Sequence, residues 1–293
     1  MSQNKNIEKN PILDVTNTLL THPRFDLAAL YYFENVSKWK HDVGFVNKFI
    51  SGNTRLVILY YICFLHFRNE TALPENGATF AQIWQHVESR KLMGSRALRT
   101  ILGIITRAGY LQRQQGQNDK RVYALVPTNI LLDSMTIHVA NTMKCFDIIF
   151  QEATYAAKAA ADPNFLNHSV LAICNAVKKN KAIFSDVDPL LKEIVMTSGG
   201  IETLYAIGVA DLKSEPLPQP KVIAKYTTSS SSQIRSVLAR LVEAGALDMK
   251  LLANEKQQSQ STKLIKIFLA RELALYAKFV FQLDEKLSGG LQT

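Results

Sequence analysis

One short stretch occurs twice in this chain of 293 residues, and that recurrence limits the fold more than any other feature. Ser95-Arg96-Ala97-Leu98-Arg99-Thr100-Ile101-Leu102 runs on to Ala108-Gly109-Tyr110-Leu111. Ser231-Ser232-Gln233-Ile234-Arg235-Ser236-Val237-Leu238 runs on to Ala244-Gly245-Ala246-Leu247. Ser, Arg, Leu, Ala, Gly and Leu coincide without a gap, and the apolar positions match. The flanks keep the same order. Pro23-Arg24-Phe25 and Pro163-Asn164-Phe165 each lead into an apolar helix, and Ser51-Gly52 and Ser198-Gly199 each precede another. An internal repeat of this length implies one supersecondary unit built twice. The boundary falls near residues 155–162, giving units of 1–158 and 159–293.

Each unit reads as helix, turn, helix and β-ribbon. In the first, Thr79–Val87 is a short helix and Glu88–Gly94 a turn. A helix follows from Ser95, placed as its N-cap, to Ala108. Leu98, Ile101, Leu102, Ile105 and Ala108 fall on one face at helical spacing. Gly109 supplies the position past the helix end that tolerates positive φ. Two strands, Tyr110–Gln114 and Arg121–Val126, flank the polar tip Gln115–Lys120. The second unit repeats this as Val222–Tyr226, a Thr/Ser-rich turn, Ser231–Ala244 and Gly245. Its strands are Ala246–Leu252 and Lys263–Leu269, around a tip at Ala253–Thr262. Long helices at Phe25–Lys40, Ile130–Ala161 and Arg271–Leu287 join the units. The expected fold is mainly α: two winged helix-turn-helix units, each a three-helix core with a small wing, forming a pseudo-dimer within one chain.

The string Ser95 to Pro127 resembles the multiple-antibiotic-resistance regulator (MarR) family of winged-helix transcription factors. The resemblance implies that the second helix of each motif reads the major groove and that an Asp-x-Arg in the wing reaches the minor groove. Asp119-Lys120-Arg121 matches that triplet. The second unit has no Asp-x-Arg and offers Lys256 and Lys263 instead. Relatives of this kind bind small aromatic effectors near the domain interface. The clusters Tyr31-Tyr32-Phe33 and Tyr60-Tyr61 read as core packing, with an aromatic effector site as the alternative that the resemblance implies.

With the apolar stripe buried, Arg96, Arg99, Thr100 and Gly103 share the outward face of the first recognition helix. Ser232, Arg235, Ser236 and Ala239 share that of the second. Arginine pairs bidentately with guanine or clamps phosphate, and hydroxyls bond bases or backbone. The DNA-contacting set is therefore Ser95, Arg96, Arg99, Thr100, Arg113, Lys120 and Arg121 in the first unit. In the second it is Ser232, Gln233, Arg235, Ser236, Lys256 and Lys263. The run Thr227 to Ser232 serves either as a phosphate-bonding turn or as plain N-cap chemistry.

A formal net charge of +9 and a pI near 9.4 favour a polyanionic partner. The three cysteines are widely spaced and fit neither a zinc pattern nor a disulfide framework, in keeping with a reducing cytosol. No Gly-rich phosphate loop, nucleophile elbow or paired metal motif occurs, so no enzyme activity, cofactor or metal is expected. The apolar stretch Leu56–Phe67 is shorter than the ~20 residues a bilayer requires, and residues 1–10 lack a signal-peptide core. The reading is a cytoplasmic, sequence-specific DNA-binding transcriptional regulator, monomeric with an internal pseudo-two-fold. The alternatives are a protein–protein interaction module of a larger complex and a tandem winged-helix replication initiator.

Overall fold

Helices dominate the computed structural model, which describes residue 10 and residues 12–42, 53–68, 77–115, 121–151, 154–179, 187–227, 229–248 and 260–281. In the first half come α1 (Leu13–Thr21), α2 (Phe25–Asp42) and α3 (Asn53–Phe67), then strand β1 (Ala78–Thr79), α4 (Phe80–Ser89) and α5 (Ser95–Arg107). Strands β2 (Leu111–Gln115) and β3 (Tyr123–Pro127) lead to α6 (Asn129–Phe150). The second half contains α7 (Tyr155–Ala161), α8 (Phe165–Lys179), α9 (Pro189–Met196), α10 (Gly200–Lys213), α11 (Pro220–Tyr226) and α12 (Ser231–Glu243). It ends in α13 (Gln260–Tyr276), prolonged by the π-helical turn Ala277–Phe281. The fold is mainly α, with one three-stranded antiparallel sheet in the order β1-β3-β2.

The two matching sequence stretches adopt matching structures. Helices α5 and α12 each run for 13 residues and bury the same four positions. These are Leu98, Ile101, Leu102 and Ile105 in α5, and Ile234, Val237, Leu238 and Leu241 in α12. Each helix ends in a glycine in the left-handed region, Gly109 at φ 82° and Gly245 at φ 67°. A side chain there would strain the backbone, whereas glycine has no Cβ to clash. The orphan carbonyls of the last turn are met alike. The Tyr110 N–H reaches the Ile105 carbonyl at 3.1 Å, and the Ala246 N–H reaches that of Leu241 at 2.8 Å.

A second clasp ties each helix end to the long helix that follows. The backbone N–H of Thr128 donates to the Tyr110 carbonyl at 3.0 Å, and its hydroxyl donates to the Gly109 carbonyl at 2.6 Å with the Tyr110 carbonyl 3.1 Å away. The N–H and hydroxyl of Ser261 both donate to the Ala246 carbonyl at 2.8 Å. One carbonyl thus fixes where α6 starts, and its counterpart fixes where α13 starts.

The halves share one continuous core and exchange helices. Helix α1 packs on α13 of the other half, while α7 folds back onto α6. Helix α2 packs on α10, and α3 packs on α8. At this seam Phe33 stacks on Tyr205 with centroids 5.2 Å apart, and Tyr32 meets the same ring edge-on. The Tyr32 hydroxyl donates to Glu272 Oε2 at 2.8 Å, and His138 Nε2 lies 3.7 Å from Glu272 Oε1. Lys213–Glu34 and Lys266–Asp26 ion pairs bridge the halves at the surface.

Several expectations need correction. Residues 263–269 form the first part of α13, not a strand, because Leu264, Ile265 and Leu269 are buried at helical rather than alternating spacing. Ala246 to Asp248 are likewise not in a strand. The long helix expected over 130–161 is two helices, broken where Gln151 takes a left-handed conformation at φ 56°. The Asp147 carboxylate then accepts the N–H groups of Tyr155 and Ala156, starting α7. The helix expected from Arg271 begins eleven residues earlier, at Gln260. Strand β1, which was not expected, completes the sheet against β3.

Gly208 tests how closely the seam is packed. A Cβ there would sit 2.8 Å from Phe33 Cε2 and 2.9 Å from its Cδ2. Phe33 is fully buried and stacks on Tyr205, one turn before Gly208 on the same helix, so relieving the clash means shifting packed rings. Overpacking costs ~1–3 kcal/mol and the helix gains ~1 kcal/mol from alanine, so Gly208→Ala should lose up to about 2 kcal/mol net. Thermal or urea unfolding measures this directly. A variant as stable as the parent would mean that the seam yields.

Candidate nucleic-acid interface

The outward faces of α5 and α12 are built by the same rule: four apolar residues pull one side into the core and leave the other in water. On α5 the exposed residues are Arg96, Ala97, Arg99, Thr100 and Arg107, with Ser95 half-buried. Ser95 is the first helical residue and not the cap; Gly94 takes the N-cap position. The Thr100 hydroxyl donates to the Arg96 carbonyl at 3.0 Å, which leaves its lone pairs outward. On α12, Ser232, Gln233, Arg235 and Ser236 are exposed. Here Ser230 is the N-cap, and it forms a capping box with Gln233. Gln233 Oε1 accepts the Ser230 N–H at 2.8 Å, and the Gln233 N–H donates to Ser230 Oγ at 3.2 Å. The Gln233 carbonyl oxygen is therefore committed to its own helix end. Thr227 Oγ1 accepts the Ser229 N–H at 3.3 Å, so turn and cap chemistry occupies the Thr/Ser run.

The β-hairpin of the first half adds two cations. Arg113 lies exposed on β2, opposite Leu125, and Arg121 lies exposed just before β3. Arg90 and Lys91, in the turn between α4 and α5, are exposed as well. The first half thus gathers arginines from the turn, the helix and the hairpin. In the second half Arg240 is engaged by Glu193 at 3.0 Å. Lys263 is exposed on the first turn of α13, on a helix and not on a wing strand. Lys120 and Lys256 lie outside the described residues, as do residues 116–119 and 253–259 of the expected tips, while Gln115 ends β2 and Gln260, Ser261 and Thr262 open α13.

Two features of this surface carry no sequence motif. The Arg99 guanidinium lies over the Phe80 ring, its carbon 4.0 Å from the centroid. A phenylalanine opening a helix reads simply as core, so sequence did not single it out. His86 on α4 stacks on Tyr61 of α3 with centroids 3.7 Å apart and planes 11° from parallel. Burial first, and the nearby Arg90 charge second, push the His86 pKa down from 6.5 to about 4.

Other candidates resolve into packing. Tyr32 and Phe33 are buried in the seam, Tyr31 donates to Asn141 Oδ1 at 3.4 Å, and Tyr61 carries the His86 stack. Cys63 is fully buried and its thiol is pushed up to about 12, chiefly by desolvation. Cys145 Sγ points at the carbonyls of Ala28 and Asn141, both 3.7 Å away. Among the described residues no group of three or more His, Cys, Asp and Glu is placed to hold a metal ion. Among them also, no helix is long and apolar enough to cross a membrane. Compared with known proteins, the chain matches no family model, and no curated protein or solved structure is similar enough to count as a match.

The His86 stack generates a pH prediction. Folded His86 takes up its proton only near pH 4, whereas unfolded imidazole does so near 6.5. Between these values the unfolded chain binds more protons, so stability falls as the pH drops from about 6.5 to 4 and levels off below. Since His86 is only partly buried, solvent screening keeps the effect modest. The urea midpoint should fall more between pH 7 and pH 5 for the parent than for His86→Phe, which keeps a ring on Tyr61 but cannot titrate. Equal falls would rule His86 out as the source.

Proposed function

We propose that the chain binds double-stranded DNA sequence-specifically, as a transcriptional regulator, through two winged-helix units. On this reading the units arose by internal duplication, meet near residues 155–162 and form a pseudo-dimer within one chain. Each unit presents its second helix, 95–107 or 231–243, to a major groove. In the first unit the β2–β3 hairpin forms the wing and Arg113 and Arg121 flank it.

The observation that carries the reading is the recurrence of a whole device. An exposed Arg-hydroxyl pair, Arg99-Thr100 and Arg235-Ser236, rides on two helices with the same buried stripe, the same glycine stop and the same clasp to the following helix. Packing alone explains the buried stripe but places no demand on the solvent face. Arginine beside a hydroxyl supplies a fork for guanine or phosphate and a second donor for the backbone. The surplus of positive charge in the first half adds the sequence-independent attraction that such binding needs. The helix exchange between halves supports a monomer, because each half already covers surface that a partner subunit would otherwise cover.

Selection from random duplex DNA, followed by titration of the recovered sequence, tests this directly. The recovered site should have two unlike halves about one helical turn apart, since the reading faces differ. Arg99→Ala should weaken binding by about 1–3 kcal/mol and relax preference in one half-site. Arg235→Ala should do the same in the other half-site. The logarithm of affinity should fall linearly with that of salt, with a slope set by several phosphate contacts. Light scattering of the complex should return one chain per site. No enrichment in the selection would sink the proposal.

A further inference from the structure

The Arg99–Phe80 stack is unlike anything expected of a solvated helix face. Arg99 is exposed, yet its guanidinium carbon lies 4.0 Å from the Phe80 centroid, near van der Waals contact with the ring face. Phe80 is itself half-buried and packs against the core, so the ring is a fixed platform. The capping box of Thr79 and Gln82 fixes it further by pinning the turn of helix from which it projects. A guanidinium held over a ring carries five N–H donors in a planar fork, and those that do not face the ring remain available to a second partner. Arg96, one turn earlier on the same helix, is exposed. The helix before Arg235 opens on Pro220 where the helix before Arg99 opens on Phe80.

We propose that Phe80 is a positioning residue for Arg99, holding the guanidinium over the ring so that its remaining donors are set for a planar acceptor. That acceptor is the O6/N7 edge of guanine or a backbone phosphate of duplex DNA. The inference rests on the DNA-binding reading of α5. An unsupported arginine must give up its side-chain freedom on binding, and one already stacked has given up much of it beforehand. The ring also adds cation–π attraction, worth a factor of roughly two to five at an exposed site. The first half is then the pre-organised reader of the pair.

The test uses the full-length chain and a duplex recovered by selection, with affinity followed by fluorescence anisotropy at fixed salt. Phe80→Leu should weaken binding by roughly two- to fivefold, and Phe80→Trp should restore it, because the ring face and not the exact side chain is what matters. In an Arg99→Ala background Phe80→Leu should have no further effect. In the unbound protein, the Arg99 Nε–H proton should show a ring-current shift that Phe80→Leu abolishes, a readout that does not depend on DNA. Tighter binding by Phe80→Leu, an unchanged affinity, or an equal loss in the Arg99→Ala background would overturn the positioning role while leaving DNA binding intact. Loss of the ring-current shift from the parent spectrum would overturn it as well. Failure of the parent and of every variant to bind any duplex would overturn the DNA reading and this inference together.

Discussion

Beyond its first turn helix α13 buries residues on every side, and the placement of the other helices follows from that. Leu264, Leu275 and Arg271 lie on one flank, Leu269, Leu273 and Tyr276 on the opposite one, and Ala270 and Ala274 between. Such a helix belongs to the interior of a domain and not to its surface. It needs cover from several elements at once, and α1 and α10 supply it from different halves. Its polar groups must also find partners, since an unsatisfied buried group costs more than a made hydrogen bond returns. Ser261 reaches the Ala246 carbonyl, Thr262 pairs with Asp211, and Glu272 accepts the Tyr32 hydroxyl beside His138. Each partnership links α13 to a different element, so the helix cannot rotate or slide without breaking one. Burial pushes the Tyr32 and Tyr205 hydroxyls well above their usual range, which keeps them neutral around the carboxylate.

A hub of this kind determines what the surface can present. Because the core is shared, α5 and α12 stand on one continuous framework and not on two independent lobes. Their buried stripes fix each helix in rotation about its axis, and the glycine turns fix where each stops. The side chains that remain outward are therefore set by the core without taking part in it. This separation of roles leaves Arg96, Ser232 and Arg235 outside the core, while Arg99 touches its edge through Phe80.

How much of this was legible in sequence depends on how local the determining interactions are. Helices α5 and α12 were, within a residue, because the stripe, the glycine stop and the spacing all sit inside fifteen residues. The β2–β3 hairpin was legible for the same reason. Residues 263–269 were misread because the apolar pairs Leu264-Ile265 and Phe268-Leu269, seen alone, satisfy either period. Only burial on all sides, a tertiary fact, decides for the helix. The break at Gln151 was missed because nothing in the sequence marks it; the cause is the Asp147 carboxylate capping the next helix eight residues later. Strand β1 is two residues long and exists through its pairing with β3, so it left no pattern. Of the expected site, Arg96, Arg99, Arg113, Arg121, Ser232, Arg235 and Ser236 are at the surface as read from sequence. The Phe80 platform was invisible, because it joins two helices across a turn.

A chain that carries two similar faces can let them diverge, which a symmetric dimer of one sequence cannot do. The differences here run in one direction. Around α5 the exposed Arg90, Lys91, Arg96, Arg99, Arg107, Arg113 and Arg121 far outweigh Glu88. Around α12 the exposed Lys221, Lys225, Arg235, Arg240 and Lys263 face a larger acidic share, Glu193, Glu243 and Asp248, and the capping box holds the Gln233 carbonyl oxygen. Under the DNA-binding reading the first face then supplies most of the electrostatic attraction and the more rigid contact. The second face need not bind tightly by itself. Held to the first by a shared core, it meets its half-site at an effective concentration set by the framework, so even weak contacts add to the total. Register then becomes the property under selection: α13 and the seam must hold the two helices at the spacing of adjacent grooves. On that reading there is a physical reason for the most constrained helix to start at the clasp behind α12, where Ser261 holds the Ala246 carbonyl, and to run from there into the shared core.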